Sequence, residues 1–466
     1  MFVDVSPHAR APHARRTWPI AALIAASLSS PALLRAQPPA PDVPRQAFPA
    51  VDRDSLSLDS VYALVAGRNQ RVLAARSLAR ASAARVATAA RPADPQLQLG
   101  FMNYAVPSVR PDPALGMTQL QLTWMLPTRG KLAAATAAAT ARSDAARARA
   151  DGVWWTMRLE AAMAFYERFE AAGALAVTRD TRRLLDDVAA TASAMYRVGD
   201  GRQTDVLRAR VEIARMDDEL LRLSSSLEGA TARLAATADI EIAAVAGMPS
   251  LPQFRDSLPA LEALVQAALT GQPMLDAGQA DLRAADADAR LARREFWPDV
   301  EVGVQYGQRR MDMGIDRMGS VMVGASLPIF ARSRQLRMRD ETEAMQAMAR
   351  AELSAMRTET RGKVTQAHTA LTSARRLGAL YRTTVLPQAE ATATSALAAY
   401  RAGTVDFMTV IESRMAINRY RQELVALAAS EGRAWAELEM LVGQSLLATG
   451  QDVAPRRDDS RHGGTR

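Results

Sequence analysis

Apolar and polar residues alternate in four short stretches of the chain, and this period of two predicts β-strands with two different faces. In one of them Leu120, Leu122 and Trp124 share a face, while Gln119 and Gln121 share the opposite one. A proline directly follows the second and the fourth stretch and ends each predicted strand. The four stretches occupy residues 96–104, 117–126, 300–307 and 321–327.

Long alanine-rich segments next to these strands predict helices. Residues 129–195 contain no proline, and a helix of that length extends for about 100 Å at a rise of 1.5 Å per residue. A shorter helix is predicted ahead of it over residues 58–90. On the segment that returns from the long helix, apolar residues recur at spacings of three and four, which is typical of a coiled-coil seam. The seam residues are Ile213, Met216, Leu220, Leu223, Leu227, Ala230 and Leu234.

The same order of elements occurs twice along the chain. Tyr196-Arg197-Val198-Gly199 recurs as Tyr400-Arg401-Ala402-Gly403, and Met125-Leu126-Pro127 has a counterpart in Ser326-Leu327-Pro328. These matches lie at nearly the same offset, so chance is a poor explanation of them. The chain is therefore predicted to contain two copies of one unit, each with a helix, two strands and two very long helices.

The two ends of the chain differ from this repeated part. Arg15 and Arg16 precede an apolar stretch, and Ala36 offers a small residue for cleavage, which is the order of a secretory signal. No later stretch has the roughly 18 consecutive apolar residues that predict a membrane-spanning helix, so the mature protein is expected to leave the cytoplasm. The predicted segments are a signal peptide (1–36), a proline-rich leader (37–53), a first repeat (54–240), a linker (241–257), a second repeat (258–445) and a disordered tail (446–466).

Composition narrows the possible functions. Hydrophobic residues make up 48% of the chain, which excludes a wholly disordered protein, and the absence of cysteine excludes disulfides and thiolate chemistry. The formal net charge of +8 is partly carried by the two ends and otherwise spread along the chain, so nucleic acid is not an expected partner. The chain has four histidines and neither a glycine-rich phosphate loop nor a nucleophile elbow, so we predict no enzyme and no cofactor.

The four two-faced strands need partners. Four strands cannot close a barrel. Two chains would supply eight strands, a barrel filled by its own side chains, and three chains would supply twelve, enough for a barrel with a lumen. The apolar faces would then meet lipid and the polar faces would line the lumen, as in outer-membrane barrels. At this point two small hairpins that cap a soluble coiled coil remain an alternative. The predicted lumen residues are Gln119, Gln121, Glu301 and Gln305.

Several local motifs accompany the duplication and the order of strands and long helices. In this order and spacing, the chain resembles the TolC-like outer-membrane efflux proteins over residues 54–445. Each motif alone is loose, and the specificity comes from their succession. The motifs are Leu56-Ser57-Leu58 ahead of Asn69, Leu126-Pro127 with Gly130-Lys131-Leu132, Leu327-Pro328-Ile329-Phe330 and the two Tyr-Arg-x-Gly turns.

The resemblance implies a mixed α/β membrane protein that forms a homotrimer. Each chain would give four strands to a twelve-stranded β-barrel in the outer membrane, continued by a long α-helical coiled-coil tunnel in the periplasm. Such a protein is a passive duct that carries substrates from the periplasm to the outside and contacts outer-membrane lipid. A periplasmic adaptor (membrane fusion) protein would couple the duct to an inner-membrane pump of the RND or ABC type.

The resemblance also implies roles for particular residues. The two Tyr-x-x-Gly turns would be periplasmic tips that face the adaptor, and glycine suits these reversals because it tolerates a positive φ. The family can carry acidic side chains at two positions of the pore entrance, of which Glu412 matches and Thr409 does not. Three copies of Glu412 would form a negative ring that favours cations. The adaptor-facing candidates are Tyr196, Arg197, Gly199, Tyr400, Arg401 and Gly403, and the entrance candidates are Asp205, Asp406, Thr409 and Glu412.

Two alternatives belong to other functional classes. A periplasmic coiled-coil adaptor would carry a single helical hairpin between split β halves rather than a full duplication with two strand pairs. A structural protein of an envelope complex would not need strands with two chemically distinct faces. Both alternatives therefore leave part of the pattern unexplained.

One group of methionines suggests metal chemistry, because thioether sulfur is a soft ligand that suits Cu(I). The group falls between the third and fourth predicted strands, in an expected surface loop where a bound metal would lack shelter. We therefore predict no metal site there. The methionines are Met311, Met313, Met318 and Met322.

Overall fold

The computed structural model covers the repeated part of the chain. It describes residues 55–105, 110–112, 116–128, 130–242, 247–311, 314–327 and 329–446 of the 466. The predicted signal peptide and proline-rich leader lie outside the described residues. The predicted C-terminal tail also lies outside them apart from its first residue, Leu446.

The described elements follow the same order in both repeats, which confirms the predicted duplication of a helical segment, two main strands and two long helices. The first repeat contains β1 (Ser55–Ser57), α1 (Leu58–Arg68), α2 (Gln70–Ala89), β2 (Gln96–Met102), β3 (Tyr104–Ala105), β4 (Arg110–Pro111), β5 (Met117–Leu126), α3 (Lys131–Val198) and α4 (Gln203–Ala238). The second contains β6 (Met248–Ser250), α5 (Leu261–Gly271), α6 (Pro273–Arg294), β7 (Val300–Met311), β8 (Gly314–Ala325), α7 (Gln335–Leu380), a π-helical turn (Tyr381–Val385), α8 (Leu386–Arg401) and α9 (Phe407–Val442).

Two helices, α1 and α2, replace the single helix predicted over residues 58–90, so that prediction is wrong. Asn69 lies between them with φ −60° and ψ 118°, an extended conformation through which a helix cannot continue. Its side-chain oxygen accepts hydrogen bonds from the N–H groups of Arg71 and Val72, and its side-chain amide donates to the Thr237 carbonyl at 2.8 Å. Asn69 therefore caps α2 and ties the break to α4.

The four main strands form one antiparallel sheet in the order β2-β5-β7-β8. β5 belongs to the first repeat and β7 to the second, so their pairing joins the two copies through the sheet. The strand predicted over residues 117–126 coincides with β5. The first predicted strand is shorter than expected because β2 ends at Met102, before Asn103 takes a positive φ of 56°.

The fourth strand starts earlier than its sequence pattern predicts. β8 begins at Gly314 rather than at residue 321, because β7 supplies a paired partner for every residue from Gly314 onwards. Glycines and charged residues interrupt the alternation at the start of β8, so a period of two does not predict this part of the strand. Asp316 lies opposite Arg309 of β7 and forms an ion pair with it at 3.7 Å.

The long helices pack side by side in a fixed order. α3 has 68 residues and a length of about 100 Å. It packs against α2 and α4 and also against α6 and α9, while α7 packs against α6 and α9, so that α2/α4 and α7 lie at opposite edges. The counterpart of α3 in the second repeat is interrupted by the π-helical turn ahead of Pro387, which has no N–H to donate. None of the helices in the described ranges combines the length and apolar composition that a bilayer crossing requires.

Two clusters of buried side chains hold the helices together. In the larger cluster, α1, α3, α5, α7 and α9 meet around Phe165, Tyr166, Trp435 and Leu438, each of which is fully buried. The smaller cluster joins α3, α4, α8 and α9 close to the two turns that end α3 and α8. Small buried alanines predominate along α3 and α6, so these helices approach each other closely.

Candidate functional site

The sheet presents one polar face, built from alternate residues of its four strands. Gln121 lies opposite Gln305 in the register of β5 and β7, and Glu301 and Gln119 fall on the same face by the same alternation. The Gln305 side-chain amide donates a hydrogen bond to the Gln119 side-chain oxygen, and the Ser320 hydroxyl donates to the Gln305 oxygen at 3.5 Å. The structure thus brings all four predicted lumen residues together on one surface.

The opposite face of the sheet is apolar and largely exposed in the single chain. Val321 and Val323 are 73% and 75% exposed, and leucines, aromatic residues and valines continue the same surface across the other strands. An exposed apolar surface of this extent fits contact with another apolar phase better than contact with water. The residues are Leu97, Leu99, Phe101, Leu120, Leu122, Trp124, Val304, Tyr306, Val321 and Val323.

A buried lysine connects the sheet to the helices. The Nζ of Lys131, at the start of α3, lies 2.9 Å from Asp299 Oδ1 and 3.4 Å from Glu295 Oε2, just ahead of β7. Asp299 Oδ1 also accepts the N–H of Thr128 at 3.2 Å, and the Thr128 hydroxyl donates to the Pro298 carbonyl. These contacts hold the start of α3 and the start of β7 in one position, so the sheet and the long helices continue directly into each other.

Two glycine turns end the long helices at the other end of α3 and α8. Gly199 follows α3 with a φ of 90°, and Gly403 follows α8 with a φ of 72°. Each glycine N–H donates to the carbonyl of the tyrosine three residues earlier, at 3.2 Å for Gly199 and 2.9 Å for Gly403. Tyr196, Arg197 and Arg401 are exposed at these turns, as are the two glycines.

The two tyrosines of the repeated turn motif have different surroundings. Tyr196 is 47% exposed, whereas Tyr400 is 5% exposed and its hydroxyl donates to Asp205 Oδ2 at 3.3 Å. Tyr400 also contacts the ring of Phe407 edge to face, with the ring centroids 5.3 Å apart. Burial, followed by the neighbouring Asp205 carboxylate, raises the pKa of Tyr400 to about 12.

The bond between Tyr400 and Asp205 changes what the sequence led us to expect for both residues. Tyr400 was expected to face an adaptor and Asp205 to face a pore entrance, but in the chain they are buried against each other. They connect the start of α4 to the end of α8, which belong to different repeats. The sequence placed the two residues at equivalent turns, yet it offered no signal that the turns touch.

The remaining entrance candidates lie at the start of α9. Asp406 caps this helix, since its side chain accepts the N–H of Phe407 at 2.9 Å. Thr409 and Glu412 follow on α9 at a spacing of three and are therefore neighbours on one helix surface. Asp406, Thr409 and Glu412 are all exposed in the single chain.

Three of the methionines expected in a surface loop lie in the sheet instead. Met318 and Met322 are residues of β8 and share the polar face with Gln305 and Ser320. Met311 is the last residue of β7, and Met313 lies outside the described residues. The expected loop position is therefore wrong for Met311 and Met318, because β7 continues beyond residue 307 and β8 begins before residue 321. Met322 falls within the fourth predicted strand, 321–327, and the structure keeps it in a strand.

Comparison with known proteins identifies relatives over most of the chain. Residues 61–238 and 264–444 match the family described as Outer membrane efflux protein. The cobalt-zinc-cadmium resistance protein CzcC of Cupriavidus metallidurans is 24% identical over 406 residues, which cover 85% of this chain and 92% of that protein. The outer membrane protein VceC of Vibrio cholerae has the same fold with a TM-score of 0.71 at 18% identity, covering 83% of this chain and 96% of that one. The open state of the outer membrane channel MtrE of Neisseria gonorrhoeae gives a TM-score of 0.70 at 15% identity over 84% and 90%.

Proposed function

The chain belongs to the outer membrane efflux protein family and is an efflux channel of the outer membrane that extends into the periplasm; from this premise we propose how its parts carry out that function. Three copies assemble into a closed ring, and each contributes its four-stranded sheet to a twelve-stranded barrel and its long helices to a periplasmic tunnel. The protein is a passive duct rather than an enzyme, and an inner-membrane pump supplies the energy.

The observation that carries this proposal is the four-stranded sheet with two different faces and two unpaired edges. In the described part of the chain, β2 pairs with β5 alone and β8 pairs with β7 alone. The helices repeat this arrangement, since α2/α4 and α7 lie at opposite edges of their layer. An interface that joins one edge to the opposite edge of the next copy closes into a ring and removes every free strand edge.

Exposed small residues at the helical edges suit such an interface. Ala74 and Ala81 of α2 are exposed in the single chain, as are Ala344, Ala351 and Ala355 of α7. Small side chains allow two helix backbones to approach closely. In the assembled ring, Gln119, Gln121, Glu301 and Gln305 then line the lumen, and the apolar face meets outer-membrane lipid.

The helix turns are the proposed contact with a periplasmic adaptor protein. Tyr196, Arg197, Gly199, Arg401 and Gly403 are exposed there and provide aromatic, basic and backbone groups at the end of the helices opposite the sheet. Tyr400 and Asp205 position these turns from within. The adaptor couples the duct to an inner-membrane pump of the RND or ABC type, and the pump determines the cargo.

Measurement of ionic conductance tests this function directly. Purified protein reconstituted in planar lipid is expected to carry an ionic current and to have the mass of a trimer. Replacing Glu412 with glutamine removes three charges from one ring and is expected to lower the cation-to-anion permeability ratio roughly twofold. Thr409→Glu adds a second acidic ring and serves as the matched variant, with an increase expected. Absence of current, or an assembly that is not threefold, would refute the proposal.

The contact between Tyr400 and Asp205 predicts a second measurable effect. Tyr400→Phe leaves the buried Asp205 carboxylate without its donor, so we expect a loss of about 1–3 kcal/mol in unfolding free energy and a larger single-channel conductance. Tyr196→Phe, at the exposed equivalent position, is the control and is expected to change neither quantity. Equal behaviour of the two variants would show that the buried bond does not hold the turns together.

The same contact has a defined pH dependence. The pKa of Tyr400 is raised to about 12 in the folded chain, above its value in the unfolded chain. The folded chain therefore holds the hydroxyl proton more tightly, and this difference stabilises the folded state. This contribution to stability is complete below the ordinary tyrosine pKa of about 10 and is lost as the pH rises through 12. A pH titration of thermal stability should therefore show a loss between these limits that is smaller in Tyr400→Phe.

A further inference from the structure

Three arginines line one groove between α6 and α7. Arg283 of α6 and Arg350 and Arg357 of α7 surround a cavity of about 390 Å³, and all three side chains are exposed. The groove also contains apolar surface, since one of its leucines is buried and the other is half-buried. The other lining residues are Gln279, Leu282, Leu353 and Ser354.

The three positive charges of the groove are not balanced by the chain itself. Among the described residues, Arg283, Arg350 and Arg357 form no ion pair with a carboxylate. Glu352 and Glu359 of α7 each follow an arginine of the groove by two residues, so they lie about 200° around the helix from it. The acidic residues closest in sequence on α7 therefore point away from the groove.

Packing of α6 on α7 does not explain the cluster either. The two helices already touch through a glycine, because a Cβ at Gly278 would lie 3.3 Å from Leu353 and 3.2 Å from Met356. Asp286, one turn beyond the groove towards the sheet, accepts a hydrogen bond from the Gln346 side-chain amide. Like charges that gather without counter-charges repel one another, so the cluster suits an anionic ligand better than it suits the isolated chain.

The groove opens on the side of the helix layer that lies away from the polar face of the sheet. The Ser326 N–H donates to the Asp299 carbonyl, so polar-face residues of β7 hydrogen bond towards β8. With L-amino acids, β8 then lies to the right of β7 when the polar face is viewed with β7 running upwards. Gly278 of α6 points to the same side, towards α7, and Arg283 follows about 140° further round the right-handed helix, away from the viewer.

The depth of the groove excludes membrane lipid as its ligand. At 1.5 Å per residue, Arg283 is about 17 Å from the end of α6 at Arg294, and Arg357 is about 33 Å from the start of α7 at Gln335. A headgroup layer is only about 5–8 Å thick. The turn at Gly403 is about 65 Å further along the helices, so the groove is also separate from the proposed adaptor contact.

We propose that this groove binds an acidic peptide segment of a periplasmic protein through Arg283, Arg350 and Arg357. Arg350 and Arg357 are about 10 Å apart along α7, which is also the distance between residues three apart in an extended chain. Guanidinium groups form bidentate pairs with carboxylates, and Leu282 and Leu353 suit an apolar side chain between two acidic ones. That the groove faces the periplasm rests on the proposed function, in which the polar face of the sheet lines the duct.

Peptide binding tests the groove directly. A fluorescent peptide with the repeat glutamate-valine-proline, which stays extended and places carboxylates about 9 Å apart, is titrated into the purified channel and followed by anisotropy. We expect saturable binding that weakens as the salt concentration rises, and at least about tenfold weaker binding to Arg283→Gln/Arg350→Gln/Arg357→Gln. A peptide with glutamine in place of glutamate is not expected to bind. Equal binding of the triple variant and the unaltered channel would overturn the proposal.

The matched variant Arg85→Gln/Arg147→Gln/Arg179→Gln removes the same charge from three exposed arginines of α2 and α3. We expect it to bind the acidic peptide within about twofold of the unaltered channel, because isolated surface charges contribute little. A loss as large as that of the groove variant would reveal general charge attraction and contradict the site. If the groove variant does not assemble, Arg350→Gln decides by the same titration, with about threefold weaker binding expected.

Two further measurements identify the side of the groove and its occupant. The same peptide fused to a large carrier protein should bind equally well, whereas binding of the free peptide alone would place the groove inside the duct and contradict the proposal. Arginine-dependent binding of purified cell-wall fragments without binding of the peptide would assign the groove to cell-wall carboxylates and overturn the protein partner. An unaltered channel without potassium current refutes the duct, while the peptide titration still decides whether the groove binds acidic peptide.

Discussion

Replacing Glu439 with leucine is expected to lower the free energy of unfolding by about 3–5 kcal/mol per chain, because Arg158 then stays buried without its carboxylate. Glu439 is only 1% exposed and lies in the larger buried cluster at the end of α9. It accepts hydrogen bonds from Arg158 Nη2 at 2.9 Å, from the Ser445 hydroxyl at 3.1 Å and from the Leu446 N–H at 2.8 Å. The Tyr62 ring covers the guanidinium at 3.8 Å, so water cannot replace the lost carboxylate on that side.

The double variant Arg158→Met/Glu439→Leu tests whether the loss of stability comes from the unpaired charge or from lost packing. A well-packed apolar pair is expected to recover most of the stability, because no buried charge remains. Glu167→Gln is the surface control, since the ion pair between Glu167 and Arg233 is exposed and such pairs contribute at most about 1 kcal/mol. Chemical denaturation in detergent measures all three variants. If Glu439→Leu lowers the free energy of unfolding no more than the surface control does, the buried pair does not stabilise the cluster.

Gly432→Ala is expected to cost about 3 kcal/mol by overpacking the same cluster. A Cβ at residue 432 would lie 2.1 Å from Cε1 and 2.2 Å from Cζ of Tyr166, far inside van der Waals contact. The Tyr166 ring is fully buried and contacts Phe165 edge to face with centroids 5.4 Å apart, so it has little space to move. α9 would therefore have to shift away from α3 to accept one methyl group.

Gly229→Ala is the matched control for this substitution. Gly229 is also a helical glycine, on α4, but among the residues that the structure describes a Cβ there would meet nothing within 4 Å. We expect Gly229→Ala to stabilise the chain by up to about 1 kcal/mol through helix propensity alone. Adding Tyr166→Leu to Gly432→Ala should relieve the clash and recover part of the loss. If the two glycine variants had the same melting temperature, close contact between α3 and α9 would not be the reason for glycine at residue 432.

Predictions from local sequence patterns were accurate where the pattern is regular. β5 has the bounds that its alternation predicts, and α3 is the single long helix expected from a segment without proline. The early start of β8 was missed because glycines and charges break its alternation, although pairing with β7 makes it a strand all the same. The break at Asn69 was missed because the segment is alanine-rich and lacks proline on both sides of it. The cap that Asn69 forms is local, and only its hydrogen bond to Thr237 joins residues distant in sequence.

For the candidate site residues too, local pattern predicted some features and contacts between distant elements decided the others. Gln119, Gln121, Glu301 and Gln305 were placed on one face from the period of two, since alternation determines which side chains share a face within a strand. Their contact across β5 and β7 depends on which strands pair, and that pairing joins two repeats. The burial of Tyr400 against Asp205 depends likewise on contact between two turns that are similar in sequence and different in surroundings.

By itself, the sequence determined the element types, the duplication, the two faces of each strand and the glycine turns, because these follow from the conformational preferences of neighbouring residues. Only the tertiary structure decided the strand order β2-β5-β7-β8, the buried pair Arg158–Glu439 and the contact of Tyr400 with Asp205. These features join residues that are far apart along the chain, and local periodicity carries no information about which distant elements meet.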